Sequence, residues 1–294
     1  MKQTILGAIY LSLAASIWGG MYVVSKYVLD FIPPLTLVWL RFIIAFVVLY
    51  GILKIAEKKQ KKKVTIRKKD WLLFAWIGFI GYFISITCQF IGTKLSDAHT
   101  GSLVTSATPA FMVIFAALIL KEKLTARRLL STIIATIGVI IVIGWDIKIG
   151  YYFIGTIILV GAAITWALLS IYVKTASARF SSLVITTYAI FFSLFFITPF
   201  MIWELQTSSI GTVNTYVILG VLYLGIVSTA GAFFLWNKGL ELMDASIGSL
   251  FFFFQPIVGS LLGWLLLNET LNSNFFIGGI LIICSVLITT FEKK

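Results

Sequence analysis

The feature that most constrains this chain is a succession of long apolar runs joined by short linkers. Runs of roughly 17–25 residues are long enough to cross about 30 Å of hydrocarbon, and ten can be marked, at approximately 5–28, 35–55, 71–93, 99–120, 126–145, 152–174, 181–203, 215–238, 245–267 and 274–291. Only 12% of the residues are charged, about half the share in soluble domains. We therefore predict an all-α membrane protein with ten transmembrane helices. The first run, from Ile5 to Val28, exceeds a signal peptide's apolar core and is expected to stay as a span.

The distribution of Lys and Arg predicts the orientation of the spans. With the N-terminus placed inside, the inner segments carry nineteen of these residues, and the outer loops carry only Lys94 and Lys148. This bias predicts a cell-membrane protein with both termini in the cytoplasm. The basic run between the second and third spans is interpreted as an orientation signal, with binding of anionic lipid as the alternative. Because the positive charge is clustered in this way, nucleic acid is not an expected partner.

The chain also contains an internal repeat. Residues 92–124 align without a gap on residues 239–271, at an offset of 147, and twelve of the 33 pairs are identical. The shared positions include an Asp-Ala pair, a Gly-Ser-Leu triplet, a proline and a glutamate. Trp18 and Lys26 match Trp166 and Lys174 at an offset of 148. The sequence is therefore predicted to consist of two five-helix repeats, 1–145 and 146–294.

An odd number of spans in each half requires the second half to be inverted in the membrane. The charges agree with this, because the predicted cytoplasmic turn KEKLTARR has four basic residues and its counterpart NETLNSNF has none. Inverted repeats are typical of secondary transporters, whose substrate site lies near the bilayer midplane between the halves.

Two matched prolines predict where such a site lies. Pro109 follows GSLVTSAT and Pro256 follows GSLFFFFQ, each inside an apolar span. A proline leaves the carbonyl four residues earlier without its usual donor, and hydrocarbon tolerates a free carbonyl only against protein or water. We expect two interrupted helices that face each other across a central cavity; passive kinks are the alternative. One or two of the phenylalanines at 251–254 should line the cavity, and the others should contact neighbouring helices or lipid.

Together these residues resemble a known family. Trp18-Gly19-Gly20, Lys26, Arg41 and the two proline-to-glutamate signatures, Pro109 to Glu122 and Pro256 to Glu269, are similar to those of the EamA-type members of the drug/metabolite transporter superfamily. The resemblance covers essentially the whole chain. It implies ten helices, cytoplasmic termini and export of amino acids or other small metabolites; relatives move nucleotide sugars or organic cations. Arg41 departs from the repeat, because Ala189 occupies its matched position.

The candidate site consists of aromatic and neutral polar side chains predicted near the midplane. Trp18 and Trp166 form a symmetric pair that could hold an apolar or cationic part of a solute, although helix contacts alone could explain them. Tryptophan otherwise favours the membrane interfaces, while Gln89 and Asn237 lie nearer span ends. Ser228 and Thr229 share the midplane depth. The predicted substrate-binding residues are Trp18, Tyr22, Arg41, Gln89, Thr105, Thr108, Trp166, Phe252 and Gln255.

The charged residues within spans are few and costly to bury without a partner. Lys26 is expected to extend its ammonium group to the outer interface. Arg41 could do the same, could pair with an acid such as Asp30, or could bind a substrate carboxylate. All eleven acidic residues lie at or near span ends, which weakens the case for proton coupling. Neither a metal nor a cofactor is expected.

Other functions fit the sequence less well. Drug efflux and lipid translocation are the alternatives within transport. A membrane-embedded enzyme is disfavoured, because no pair of acidic residues has metal-binding spacing and His99 is the only histidine. Gly259 and Gly263 form a GxxxG motif that could support a homodimer, or a close contact between helices of one chain.

Overall fold

The computed structural model describes residues 2–60, 65–96, 98–143, 151–267 and 273–290, and all regular elements in these ranges are helical. The α-helices are α1 Lys2–Val28, α2 Pro34–Gln60, α3 Lys68–Ile77, α4 Ile86–Leu95, α5 Ala98–Thr105, α6 Thr108–Ile119, α7 Ala126–Ile143, α8 Tyr151–Ala176, α9 Ser182–Thr207, α10 Thr215–Leu222, α11 Ala232–Leu242, α12 Ala245–Ser249, α13 Phe254–Leu267 and α14 Ser273–Thr290. π-Helical turns, Gly78–Ser85 and Tyr223–Gly231, join α3 to α4 and α10 to α11.

Six helical stretches in these ranges are long and apolar enough to cross a membrane, which agrees with an all-α membrane protein. They are Gln3–Val28, Pro34–Lys59, Lys68–Leu95, Tyr151–Ala176, Ser182–Thr207 and Thr215–Leu242, and two shorter apolar helices are Thr108–Ile119 and Ala245–Gly259. The predicted turn at Glu269 and both chain ends lie outside the described residues, as do the side chains of Asp97 and His99.

Both matched prolines follow an interruption of a helix. The helix before Pro109 ends at Thr105, and a new helix starts at Thr108. A 3₁₀ turn, Leu250–Phe253, precedes the helix that contains Pro256. The hydroxyl of Thr108 donates to the Thr105 carbonyl oxygen at 2.6 Å. Pro109 has no backbone N–H to donate to this carbonyl. The side chain of Thr108 therefore supplies the donor that the backbone lacks.

Glycines allow close approach of α8 to α4 and of α1 to α11. A Cβ atom added to Gly92 of α4 would lie 2.6 Å from Leu159 Cγ of α8, and one added to Gly239 of α11 would overlap Leu11 of α1. Gly239 follows Gly92 by 147 residues and Leu159 follows Leu11 by 148. The two contacts therefore join matched positions.

Contacts join linkers at each of the two ends of the bundle. At one end, Arg179 pairs with Asp70 at 2.8 Å, and Arg128 pairs with Asp244 at 3.0 Å. At the other end, Lys94 Nζ donates to the Leu29 carbonyl oxygen at 2.6 Å, and the Gly211 amide donates to Phe31 at 2.7 Å. Segments assigned to the same side of the membrane thus contact one another.

We predict that Gly19→Ala destabilises the protein by about 1–3 kcal/mol, the usual cost of overpacking. A Cβ at Gly19 would lie 2.6 Å from the carbonyl oxygen of Gln255 and 2.9 Å from the amide nitrogen of Gly259, and backbone atoms cannot rotate away. The control is Gly161→Ala in α8, where no atom lies within 4 Å. Thermal unfolding in detergent measures both, and equal midpoints would contradict the close contact of α1 with α13.

Candidate functional site

A small cavity lies where α1, α4, α8 and α11 meet the interrupted segment before α13. It has room for about one water molecule and is lined by Trp18, Met21, Ile86, Gln89, Trp166, Phe233, Phe252 and Gln255. Five of these residues belong to the set predicted from the sequence. They come from both halves of the chain, which agrees with the expected position between the halves.

Aromatic rings form one wall of the cavity. The Trp18 ring meets the Trp166 ring edge-on, with centroids 5.2 Å apart and an interplanar angle of 87°. Phe252 and Phe233 lie 5.6 Å and 5.9 Å from Trp18. The indole N–H of Trp18 donates to the Ser228 carbonyl oxygen at 3.0 Å, which fixes the ring. Such a wall can hold an apolar group or a cation.

Unpaired polar atoms lie beside this aromatic wall. The Gln255 side chain is fully buried, and neither its amide nitrogen nor its amide oxygen has a hydrogen-bond partner among the described residues. The same holds for the Trp166 indole nitrogen and the Gln89 amide oxygen. A buried polar group without a partner costs about 1–3 kcal/mol. These atoms are therefore available to a solute that brings its own donors and acceptors.

A chain of hydrogen bonds links the cavity to the helix interruption near Pro109. The Gln89 amide nitrogen donates to the Tyr22 hydroxyl at 2.6 Å, which lies 2.7 Å from the Thr105 hydroxyl. Because the Thr105 hydroxyl donates to the Gly101 carbonyl oxygen at 2.7 Å, the Tyr22 hydroxyl donates to Thr105. The chain ties α1, α4 and α5 together. Thr108 does not line the cavity, since its hydroxyl is bonded to the Thr105 backbone.

Arg41 is buried beside the cavity, which excludes two of the three alternatives left open by the sequence, an arginine at the interface and a pair with Asp30. Its exposed fraction is 0%. Its Nε donates to the Thr229 hydroxyl at 2.7 Å, and its guanidinium lies 4.9 Å from the Phe90 ring centroid. Asp30 instead lies 3.8 Å from Lys94. The face of α2 that carries Arg41 packs against the Tyr223–Gly231 turn, which directs the side chain inwards.

Lys26 caps the C-terminal end of a helix. Its ammonium donates to the Ser96 carbonyl oxygen at 3.3 Å, just after α4. The matched Lys174 donates to the carbonyl oxygens of Leu240 and Met243, both at 2.8 Å, at the end of α11. A cation is favourable near the carbonyls of a helix C-terminus. Both lysines therefore stabilise a helix end and lie outside the cavity lining.

The phenylalanine run separates into different environments. Phe252 lines the cavity. Phe251 and Phe253 are buried within protein, and the Phe251 ring stacks on the partly buried Phe254 ring at 6.3 Å and 8°. Of the four phenylalanines, Phe252 lines this cavity and the other three contact protein.

Met21, Ile86 and Phe233 line the cavity but were not predicted. Ile86 and Phe233 are 147 residues apart, so extending the repeat alignment upstream would have paired them. Met21 carries no such signal, because an apolar residue in an apolar helix is indistinguishable from its neighbours in sequence.

We predict that Tyr22→Phe destabilises the protein by about 1–3 kcal/mol, because it removes the acceptor of the Gln89 amide nitrogen and leaves this buried donor without a protein partner. The control is Tyr27→Phe, since the Tyr27 hydroxyl accepts an exposed hydrogen bond from Asn214. That change should cost less than about 0.5 kcal/mol. Thermal unfolding compares the two variants, and equal losses would mean that the buried chain contributes nothing special.

Comparison with known proteins gives consistent matches along the chain. The model of the EamA-like transporter family matches residues 5–144 and again residues 153–291. The uncharacterized transporter YetK of Bacillus subtilis (strain 168) is 28% identical over 97% of this chain and 87% of its own length. A probable amino-acid metabolite efflux pump of Escherichia coli (strain K12) is 25% identical over 96% of this chain and 94% of its own. A solved crystal structure superposes with a TM-score of 0.78 at 20% identity, over 97% of this chain and 96% of the other, which shows a shared fold.

Proposed function

Because this chain belongs to the EamA-like transporter family, we propose that it is a secondary transporter that exports a small metabolite by alternating access. The family and the names of the relatives indicate a multi-pass membrane transporter rather than an enzyme. The observation that carries the proposal is the buried cavity between the two halves, lined by aromatic rings and by the unpaired Gln255 amide. The relative named as an amino-acid metabolite efflux pump favours an amino acid or a similar solute.

The proposal includes ten spans in two inverted five-helix repeats, 1–145 and 146–294, with both termini in the cytoplasm. Several matched features support it. The π turns Gly78–Ser85 and Tyr223–Gly231 occupy corresponding positions, and Lys26 and Lys174 close corresponding helix ends. The two ranges matched by the family model fall on either side of the proposed boundary.

The cavity is proposed as the solute-binding site, and the two interrupted helices as the parts that move. A helix interrupted at a proline has fewer backbone hydrogen bonds to break when it bends. Gly19 allows the Pro256 helix to contact α1 at the cavity wall. The bilayer and a small solute are the expected partners. Gly259 of the GxxxG motif contacts Gly19 of the same chain, which favours an internal role over a homodimer.

Drug efflux is the second candidate, because the aromatic wall would accept an apolar drug. The unpaired amide of Gln255 and the charged Arg41 nearby favour a solute with polar groups of its own. Lipid translocation is a weaker candidate, since the small cavity lies among buried side chains rather than at the outer surface of the bundle.

The function is tested by untargeted mass spectrometry of metabolites released from cells that make the protein. We expect release of a restricted set of small solutes, and a weaker affinity for them in Phe252→Ala. A lost ring contact costs about 0.5–2 kcal/mol, or roughly two- to thirty-fold in affinity. The control is Phe195→Ala, whose ring is exposed on the outside of α9. The same metabolite profile with and without the protein would contradict the proposal.

We predict that Pro109→Ala lowers the transport rate without lowering stability. The alanine amide can donate to the Thr105 carbonyl oxygen, so the helix interruption should close and become stiffer. The matched control is Pro199→Ala in α9, where the helix continues through the proline. Solute counterflow in proteoliposomes gives the rates and thermal unfolding gives the stability. Parental rates in Pro109→Ala would show that the interruption plays no part in the cycle.

A further inference from the structure

The Arg41 guanidinium is a buried cation for which no described carboxylate provides a counter-charge. It donates to the Thr229 hydroxyl at 2.7 Å, to the Ser228 hydroxyl at 3.3 Å and to the Met21 sulfur at 3.6 Å. All three acceptors are neutral. A buried charge normally needs an opposite charge.

The described acidic side chains whose contacts are known are engaged elsewhere. Glu204 accepts from the first amides of α2, Asp70 pairs with Arg179, and Glu122 and Asp244 both contact Arg128. Asp30 lies beside Lys94. None of these carboxylates neutralises Arg41, so its counter-charge must come from another group.

The Arg41 guanidinium contacts two side chains of the cavity wall, Met21 and Phe233. Met21 and Phe233 line the cavity, and the guanidinium carbon of Arg41 lies 5.8 Å from the Phe233 ring centroid. The thioether sulfur is a weak acceptor, and a methionine side chain is unbranched and flexible. Rotation of Met21 would exchange a weak N–H···S contact for direct access to the guanidinium.

We propose that Arg41 is an anion subsite of the cavity, covered by Met21 when the cavity is empty, and that the solute is a small organic monocarboxylate with an apolar group. The inference rests on the proposed function, because it takes the cavity as the place where the solute binds. A guanidinium fits a carboxylate with two parallel hydrogen bonds. The aromatic rings around Trp18 receive the apolar group, and the Gln255 amide pairs with any further polar group.

The repeat limits the number of charges that the site accepts. The position matched to Arg41 is Ala189, which is buried and has no charge. The site is therefore asymmetric, with one cationic end and one aromatic end. It suits one carboxylate rather than two.

The test compares probes of one shape and different charge. The purified full-length protein in detergent is titrated by calorimetry with 4-methylpentanoate, its neutral amide 4-methylpentanamide, and the cation 3-methylbutylamine. We expect the carboxylate to bind roughly tenfold to a hundredfold more tightly than the amide, the usual advantage of charge-assisted hydrogen bonds. Equal affinities of carboxylate and amide, or no binding of the carboxylate, would overturn the proposal.

Variants assign the preference to Arg41. In Arg41→Gln, the affinity for the carboxylate should fall to that for the amide, and Arg41→Lys should keep part of the preference. Met21→Ala should increase the affinity for the carboxylate, because it uncovers the guanidinium. Lys26→Gln is the control, because Lys26 closes a helix end away from the cavity lining. An unchanged carboxylate preference in Arg41→Gln would overturn the assignment. If Arg41→Gln does not fold, Met21→Ala decides, and unchanged carboxylate affinity in that variant counts against the subsite.

The experiments distinguish a failure of the proposed export function from a failure of the anion subsite. Metabolite release that contains only solutes without a carboxylate would overturn the anion subsite and leave export intact. Absence of any release, together with a carboxylate preference that depends on Arg41, would support the anion subsite and contradict export.

Discussion

Polar groups inside a hydrocarbon layer have no water to bond, and the interior of this protein is arranged around that constraint. Thr108 supplies a donor to the carbonyl that Pro109 leaves free, and Trp18 donates to a backbone carbonyl in the second π turn. Within that turn the Thr229 hydroxyl also donates to the Leu224 carbonyl oxygen at 2.6 Å. Several of the unpaired atoms that remain belong to residues lining one cavity. Their concentration there is what a solute site requires.

The close approach of the helices determines the size of that cavity. Gly19, Gly92 and Gly239 bring backbones together across the proposed boundary between halves, so the space left at the centre holds about one water molecule. A metabolite needs more room than this. Ionic contacts at one end, such as Arg128 with Asp244, and the Lys94 contact at the other are present together. Under the proposed alternating access, these contacts separate in turn.

The sequence predicted the helical architecture and much of the cavity wall, because both depend on patterns that repeat along the chain. The offset of 148 residues paired Trp18 with Trp166, which meet edge-on, and the two prolines marked the helix interruptions. It failed where contacts join distant segments without a repeated signal. The environment of Arg41 depends on side chains 187 and 188 residues further along the chain, and no local pattern identifies such partners. Met21 was missed because it is one apolar residue among many in an apolar helix.

The central claim is that the two ends of this molecule open alternately around one cavity. Spin labels at Thr125 and Ala178 report on one end, and labels at Asp30 and Ser209 report on the other, in a background with Cys88 and Cys284 replaced. Pulsed electron spin resonance on reconstituted protein measures both distances with and without a transported solute. The account predicts that the solute shifts the two distance distributions in opposite directions. Distances that stay fixed, or that widen together at both ends, would contradict alternating access.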